Sequence, residues 1–227
     1  MKVAIPPSGL TISIDRDGKA ASNLILHVLY DVCPTWCELA LRHLEDAKAA
    51  RNERIVAWEG TDQDHKAKCL ECEFGASMQA IMAAAISLDA FYSRIQTYVQ
   101  LPSLLIQQWR DKRTARYMQI TEVLRRAFSL KTEETGILRQ NLKQIYRFRD
   151  LAVHPSGKIQ APLQHPEMDV RVEWRFATFC AQNADLLVSA ATGILWELAK
   201  KGQPANNNIT EYMQALRQRL TILFPSD

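Results

Sequence analysis

Turn-forming residues are scarce in this chain, which has 8 glycines and 9 prolines among 227 residues. Sandwiches and barrels of β-strands need frequent turns, so this scarcity favours long helices. The apolar segments 80–86 and 186–198 are too short or too interrupted to cross a bilayer, and residues 1–7 lack the apolar core of a signal peptide. The five cysteines are an odd number, which indicates reduced thiols. We therefore expect a cytoplasmic, mostly helical protein without a membrane partner.

The sequence signatures of several large enzyme classes are also absent. There is no glycine-rich phosphate loop, no Gly-x-Gly-x-x-Gly of dinucleotide-binding folds and no Gly-x-Ser-x-Gly of serine hydrolases. A di-iron helical bundle needs glutamates placed three residues before histidines, and none of the five histidines has one. These absences argue against four common kinds of chemistry, and no cofactor is expected.

Positive charge is concentrated in the middle of the chain. The formal net charge is only +3, but residues 110–149 contain 11 Lys and Arg against 4 Asp and Glu, a local balance of +7. The other 17 basic and 21 acidic residues sum to −4. Such a basic block is typical of proteins that bind the phosphates of RNA, although a solvated helix surface has the same composition. The candidate RNA-binding residues are Arg113, Arg116, Arg125, Arg126, Lys143 and Arg147.

Residues 1–19 are predicted to form a strand and a turn. Leu10, Ile12 and Ile14 alternate with polar residues, and Asp17-Gly18 follows. This is the pattern of a short strand that ends in a turn. We therefore treat these residues as a separate N-terminal segment.

The rest of the chain is predicted to be mainly helical, because apolar residues recur at every third or fourth position. The first predicted helix runs from residue 20 to an interruption at Pro34, restarts at a Thr35–Glu38 capping box and reaches about Arg51. The second includes Leu70–Ile95 after a loop at 60–64, and the third runs from Pro102 to about Leu130. The fourth is capped by Thr132, with Glu133 and Glu134 behind it, and ends at His154.

The last third of the chain contains a predicted surface loop from Pro155 to Asp169 and two more helices. Residues 170–176 alternate like a strand, which could pair with the N-terminal strand, or they begin the next helix. That helix is expected to end at Lys200-Lys201 with Gly202 as its cap, and a flexible Asn206–Asn208 link leads to the last one, with Tyr212, Leu216, Leu220 and Leu223. The predicted fold is an all-α antiparallel helical bundle with a possible two-stranded β ornament, divided into residues 1–19, 20–202 and 203–227.

Two pairs of cysteines have spacings compatible with a zinc site. These pairs are Cys33/Cys37 and Cys69/Cys72. Both lie in helical patterns, where cysteines three or four apart share a face and pack as small apolar residues. We favour core packing; zinc binding and redox chemistry are the alternatives.

The most informative stretch is Arg149-Asp150-Leu151-Ala152-Val153-His154-Pro155. A residue before proline is driven out of the helical conformation, so His154 should lie where the helix meets solvent. Asp150, four residues earlier, shares a helix face with His154, and Arg147 and Lys143 extend this polar stripe. An arginine, a carboxylate and an imidazole are suited to phosphodiester chemistry. The alternative is a histidine that only caps the helix.

At these residues the chain resembles the HEPN superfamily of helical-bundle ribonucleases. The family motif is an arginine, then a polar residue, then a histidine four to six positions after the arginine, and Arg149, Asp150 and His154 match it with aspartate as the polar residue. The resemblance covers about residues 71–198. It implies a site completed in a homodimer and a role as a toxin, defence effector or RNA-processing nuclease. Some members have lost activity and only bind RNA or proteins.

The resemblance implies cleavage of RNA by its own 2′-hydroxyl without a metal ion. His154 would move protons, Arg149 would neutralise the phosphorane with help from Arg147, and Asp150 would orient the imidazole. Three hypotheses follow: a HEPN-type endoribonuclease, which we favour; a catalytically silent module that binds RNA or a partner protein; and a structural helical protein with cysteine-bound metal. An antitoxin or a defence-system protein is a possible partner under the first.

Overall fold

The computed structural model describes residues 2–5, 9–154 and 161–224, and internal contacts divide the chain into two compact units, Met1–Val32 and Cys33–Asp227. The sequence placed boundaries after residues 19 and 202 instead. The first unit contains two antiparallel strand pairs. They are β1 (Lys2–Ala4) with β4 (His27–Leu29), and β2 (Leu10–Ile14) with β3 (Ala20–Leu24).

The predicted strand and turn at the N-terminus are confirmed, but the helix predicted from residue 20 is wrong. Residues 20–24 pair with β2 in a register that places Leu24 opposite Leu10 and Ala20 opposite Ile14. Gly18 takes φ +78° in the turn between these strands, a conformation that favours glycine. Strand pairing across this turn therefore overrides the weak helical spacing after residue 20.

The second unit is an all-α helical bundle, which confirms the predicted fold class. Its one short strand pair in the described residues joins β5 (Leu163–Gln164) and β6 (Arg171–Val172). The helices are α1 (Cys33–Glu59), α2 (Gln63–Ile95), α3 (Ser103–Asp111), α4 (Arg116–Ala127), α5 (Thr132–Val153), α6 (Trp174–Thr178), α7 (Ala181–Lys201) and α8 (Asn207–Leu223), and a 3₁₀ turn (Gln96–Tyr98) follows α2.

Alanines at the contact between α1 and α2 let these two long helices pack closely as a hairpin. Ala40 and Ala47 of α1 and Ala80 and Ala84 of α2 are fully buried, and small side chains shorten the distance between helix axes. Larger aliphatic and aromatic residues of α4, α5, α7 and α8 complete the core. The last helix thus belongs to the same core as the others, with Leu216 and Leu220 buried in it.

The helix Gln63–Tyr98, which comprises α2 and the 3₁₀ turn, is long and apolar enough to cross a membrane by length and composition alone. Half of its most apolar 18-residue window is buried inside the bundle. Burial of this kind is also what the central helix of a bundle requires.

Two predicted segments have different boundaries in the structure. Helix α1 begins at Cys33, so Pro34 lies in its first turn, where proline is tolerated, and does not interrupt a helix. The helix predicted from Pro102 to Leu130 is broken between α3 and α4, because Arg113 takes φ +47° and the Thr114 N–H donates to the Trp109 carbonyl. The sequence contains no signal for this break, since no glycine or proline lies in the turn at Arg113 and Thr114.

Residues 170–176, which the sequence left open between a strand and the start of a helix, contain both. Residues 171–172 form a strand that pairs with 163–164 and not with the N-terminal strand, and Trp174 begins a helix. The part of the predicted loop at 155–160 lies outside the described residues. Asn206 is not a flexible link: its side-chain oxygen accepts from the Ile209 N–H, and its amide nitrogen donates to the Tyr98 carbonyl, at 3.1 and 2.9 Å.

Gly202 follows α7 as predicted, but for a different physical reason. Its φ is −57°, so a left-handed backbone does not require glycine here. A Cβ at this position would collide with the Leu198 carbonyl oxygen and lie 2.9 Å from Cδ1 of Phe128. The Leu198 carbonyl at the end of α7 and the Phe128 ring at the end of α4 therefore leave room only for glycine.

Candidate functional site

Helix α5 positions the predicted catalytic residues. Glu133 and Glu134 lie in its first turn, and the Glu134 carboxylate accepts from the Lys131 N–H at 2.7 Å. Leu142 and Ile145 are fully buried and fix the helix against the core. The regular helix ends at Val153, so the predicted end at His154 is confirmed.

The opposite face of α5 lines a groove of about 490 Å³ that α4 closes on the other side. Lys143, Arg147 and Asp150 lie along α5, spaced four and three residues apart and therefore on one face. Arg116 and Tyr117, at the start of α4, face them. The structure thus brings three of the predicted RNA-binding cations and one predicted catalytic residue together. His154, four residues beyond Asp150, continues the same stripe at the end of the helix.

Arg116 is held in place by α2. Its Nε donates to Oδ1 of Asp89 at 2.7 Å, and its guanidinium lies 4.1 Å from the centre of the Tyr92 ring. A cation fixed over an aromatic ring and paired on one edge has fewer rotamers to lose when it binds a phosphate. Asp89 was not predicted from the sequence, although a carboxylate in the alanine-rich stretch of α2 is a signal that could have indicated it.

Tyr146 lies on the wall of the groove beneath these charges. Its hydroxyl is buried and makes no hydrogen bond of ordinary geometry to a described residue. Burial, together with the nearby Asp89 carboxylate, raises the pKa of Tyr146. The phenol is therefore neutral at any physiological pH and can only donate or accept a hydrogen bond.

The three residues of the Arg149…His154 motif are not all in mutual contact. Nη1 of Arg149 donates to Oδ1 of Asp150 at 2.9 Å, with 34% and 58% of the two side chains exposed. The Arg149 guanidinium also lies 6.0 Å from the centre of the Tyr146 ring. The His154 side chain is exposed, and the backbone N–H of His154 donates to the Asp150 carbonyl at 2.9 Å. The expected contact between the Asp150 carboxylate and the imidazole is not present among the described residues.

The remaining predicted RNA-binding arginines lie elsewhere on α4 and in the turn before it. Arg125 and Arg126 both donate to Glu122, at 2.8 and 2.6 Å. These bonds, led by that from Arg125, hold the pKa of Glu122 at about 2. Arg113 is exposed in the left-handed turn before α4. Arg125 and Arg126 share one compensating carboxylate, whereas Lys143 and Arg147 of the groove form no ion pair among the described residues. Lys143 and Arg147 are therefore better placed to bind phosphate.

A buried ionic network on the other side of the bundle was not predicted. Arg54 of α1 pairs with Glu73 of α2 and donates to Glu167 at 2.7 Å. Arg51 also donates to Glu167, at 2.8 Å, and these cations lower its pKa, Arg51 most. Nδ1 of His165, which is buried, accepts from the Glu167 N–H at 3.2 Å. Arg54 occupies an otherwise alanine-rich face of α1, and that charge in an apolar stripe was the available signal.

Core packing, the favoured interpretation of the two cysteine pairs, is confirmed for three of the four residues and is wrong for Cys72. Cys33, Cys37 and Cys69 are buried, and Cys72 is exposed. In the part of the chain that the structure describes, no three His, Cys, Asp or Glu side chains are grouped as a metal ion would need. Burial raises the pKa of Cys69 and of Cys180, which favours their neutral thiols.

Comparison of the chain with protein-family models, with curated proteins and with solved structures finds no significant match. The functional argument therefore depends on the motif and on the geometry of the groove.

Proposed function

We propose that this protein is an endoribonuclease that binds RNA along the α5 groove and cleaves it at the His154 end without a metal ion. The observation that carries the proposal is the alignment of Lys143, Arg147 and Asp150 on one face of α5, beside Arg116. His154, the cap of this helix, follows four residues after Asp150. Cations along a groove hold the phosphate backbone, and an exposed imidazole at its end has access to a ribose. We place this activity in the cytoplasm.

The chemistry is internal transesterification. A ribose 2′-oxygen forms a bond to phosphorus while the bond from phosphorus to the 5′-oxygen breaks. One His154 accepts the 2′-hydroxyl proton, and a second His154 from the partner copy gives a proton to the leaving 5′-oxygen. Arg149 and Arg147 stabilise the charge that develops on the phosphorane oxygens. An antitoxin or defence-system protein would act by covering or releasing this surface.

A catalytically silent RNA-binding module is the second candidate, and one observation favours it. Within a single chain Arg149 is paired with Asp150, so the cation that should meet the phosphorane is already partly neutralised. RNA has to displace that carboxylate before the arginine can act. Binding without cleavage would distinguish this candidate from the first.

Product analysis tests the chemistry. The purified protein is expected to leave a 2′,3′-cyclic phosphate and a 5′-hydroxyl, to remain active in EDTA, and to spare DNA. A single 2′-deoxyribose at the cleaved position should stop cleavage without stopping binding.

His154→Ala should remove nearly all activity, while His43→Ala, outside the motif, serves as the matched control. Arg149→Lys should be poor, since an ammonium cannot reproduce the two-point grip of a guanidinium. A requirement for Mg²⁺ with 5′-phosphate products would overturn the mechanism.

Salt dependence tests the groove separately from the chemistry. Arg147→Gln and Lys143→Gln should each weaken RNA binding and lower the salt slope by about one, because each lost phosphate contact retains a counterion. Arg125→Gln should change both quantities less, since Glu122 already binds this side chain. If Arg147→Gln and Lys143→Gln keep the salt slope of the unchanged protein, the polar stripe of α5 is only a solvated surface.

A further inference from the structure

A second pocket lies next to the α5 groove, on the other side of Arg116. It has a volume of about 280 Å³, and its walls include Tyr92 of α2, Trp109 of α3 and Gln119 of α4. The Tyr92 ring lines this pocket, and the Arg116 guanidinium that lies over that ring lines the groove. The contact between Arg116 and Tyr92 therefore links the groove, which Arg116 lines, to the pocket, which Tyr92 lines.

The lining of this pocket combines a flat apolar surface with amide groups. The Trp109 indole is half-buried and presents an aromatic face, and Leu101 adds apolar area. Gln96 and Gln119 supply side-chain amides. Nε2 of Gln119 donates to the Thr114 carbonyl at 2.7 Å, which fixes the orientation of its amide. The Gln96 amide has two N–H donors and an acceptor for a planar ligand with a polar edge, and Gln119 keeps one N–H and its oxygen.

A nucleobase is the planar ligand that fits this chemistry. Bases stack on aromatic side chains whatever their sequence, and amides read their hydrogen-bonding edges. The pocket is close in size to the smallest typical small-molecule sites, about 300 Å³. Arg110, at its rim, forms no ion pair among the described residues and adds a positive charge for a phosphate.

We propose that this pocket holds one unpaired base of the RNA whose phosphates lie in the α5 groove. The proposal rests on the proposed function and adds the class of substrate: RNA that is single-stranded next to the cleaved bond. A base in a duplex is stacked and paired, so it cannot enter the pocket without being flipped out. Arg116, between the two spaces, contacts the phosphate that links the captured base to the rest of the strand.

Binding of abasic RNA provides the test. A fluorescently labelled single-stranded RNA is compared with a series in which one abasic site is moved along the strand, and with the same RNA in a duplex. For the unchanged protein, an abasic site at one position should weaken binding at least about 5-fold. Trp109→Leu should weaken binding of the intact RNA by a similar factor and leave binding of that abasic RNA unchanged. The duplex should bind no better than the abasic strand.

Two further variants keep the test independent of folding. Trp109→Phe retains an aromatic face and should bind the intact RNA within about 3-fold of the unchanged protein. Trp196→Leu removes a half-buried tryptophan of α7 that packs on Phe224 and should not affect RNA binding. If Trp109→Leu is unfolded, the position-dependent abasic effect and the Trp109→Phe result still decide the matter.

The outcomes separate this proposal from the proposed function. Salt-dependent RNA binding that needs Arg147 but ignores abasic sites, or that Trp109→Leu weakens equally for intact and abasic strands, would overturn the base pocket alone. No binding to any RNA would overturn both. Binding of free adenosine or uridine monophosphate as tight as that of the strand, without dependence on Arg147, would assign the pocket to a free nucleotide and overturn the proposal.

Discussion

Two oppositely charged side chains, Arg54 of α1 and Glu73 of α2, lie among the apolar residues that join these helices, with 1% and 2% of their surfaces exposed. Glu73 also accepts the Ala181 N–H at 3.0 Å. Burying these charges costs hydration that the pair only partly returns. At the scale of single residues, the intact pair therefore adds little to the stability of the fold, whereas loss of one partner is strongly destabilising.

Glu73→Ala should lower the free energy of unfolding by about 3–5 kcal/mol, because it leaves a buried guanidinium short of one carboxylate. Chemical denaturation with urea measures this. The matched control is Glu197→Ala, which removes an exposed pair with Lys201 and should change stability by at most about 0.5 kcal/mol. A Glu73→Ala protein as stable as the control would show that hydration replaces the pair.

Acid stability depends on the carboxylates that arginines hold ionised. In the folded chain the pKa of Glu122 falls from 4.5 to about 2, so the folded state binds fewer protons than the unfolded state between these values. The stabilisation is complete above pH 4.5 and is lost as the pH falls towards 2. Glu122→Gln should therefore lower Tm near pH 6, and the difference from the unchanged protein should shrink below pH 3. A pH-independent difference would mean that the ion pairs contribute nothing.

At the scale of elements, helix α8 is fixed to the bundle through the residue that caps it. Asn206 caps the helix and also donates to the Tyr98 carbonyl. Asn206→Ala should cost about 1–2 kcal/mol, since it removes a helix cap and a second hydrogen bond. Asn208→Ala, two positions further on an exposed face, is the control and should change the urea midpoint little. Equal effects of both substitutions would show that this cap is unimportant.

How well each element could be predicted depends on whether its signal is local. Helices α2 and α5 have long apolar stripes and were predicted correctly. The polar stripe of α5 also predicted which residues of this helix line the groove. The position of Arg116 on the α4 side of the groove could not be predicted, because its side chain is held by Asp89 and Tyr92, 27 and 24 positions earlier. Strand β3 depends on its partner, and the turn at Arg113 on backbone hydrogen bonds, so neither is encoded in apolar spacing.

At the scale of the whole molecule, the proposed mechanism requires two copies of the chain. One imidazole cannot easily be acid and base in the same step, and a two-fold axis near the end of α5 would supply a second one through a self-complementary surface. Val153, next to His154, is an aliphatic side chain with 43% of its surface exposed. It is a suitable centre for such an interface.

Light scattering should give twice the chain mass of 25.8 kDa at micromolar concentration. Val153→Arg should yield a monomer that binds RNA but does not cleave it. Ile137→Arg, which alters an even more exposed aliphatic residue of the same helix (57%) far from His154, should remain dimeric. A monomeric unchanged protein that cleaves RNA would rule out a composite site.

The bond from the Ala181 N–H to Glu73 joins residues 108 positions apart and has a consequence for hydrogen exchange. The first amides of a helix normally exchange early, since they lack partners within the helix and fray. Here the first amide of α7 is protected by a side chain of α2, so it can exchange only when the two helices separate. The exchange rate of the Ala181 amide should thus match that of the most protected amides in the middle of α2, and it would report unfolding of the entire bundle.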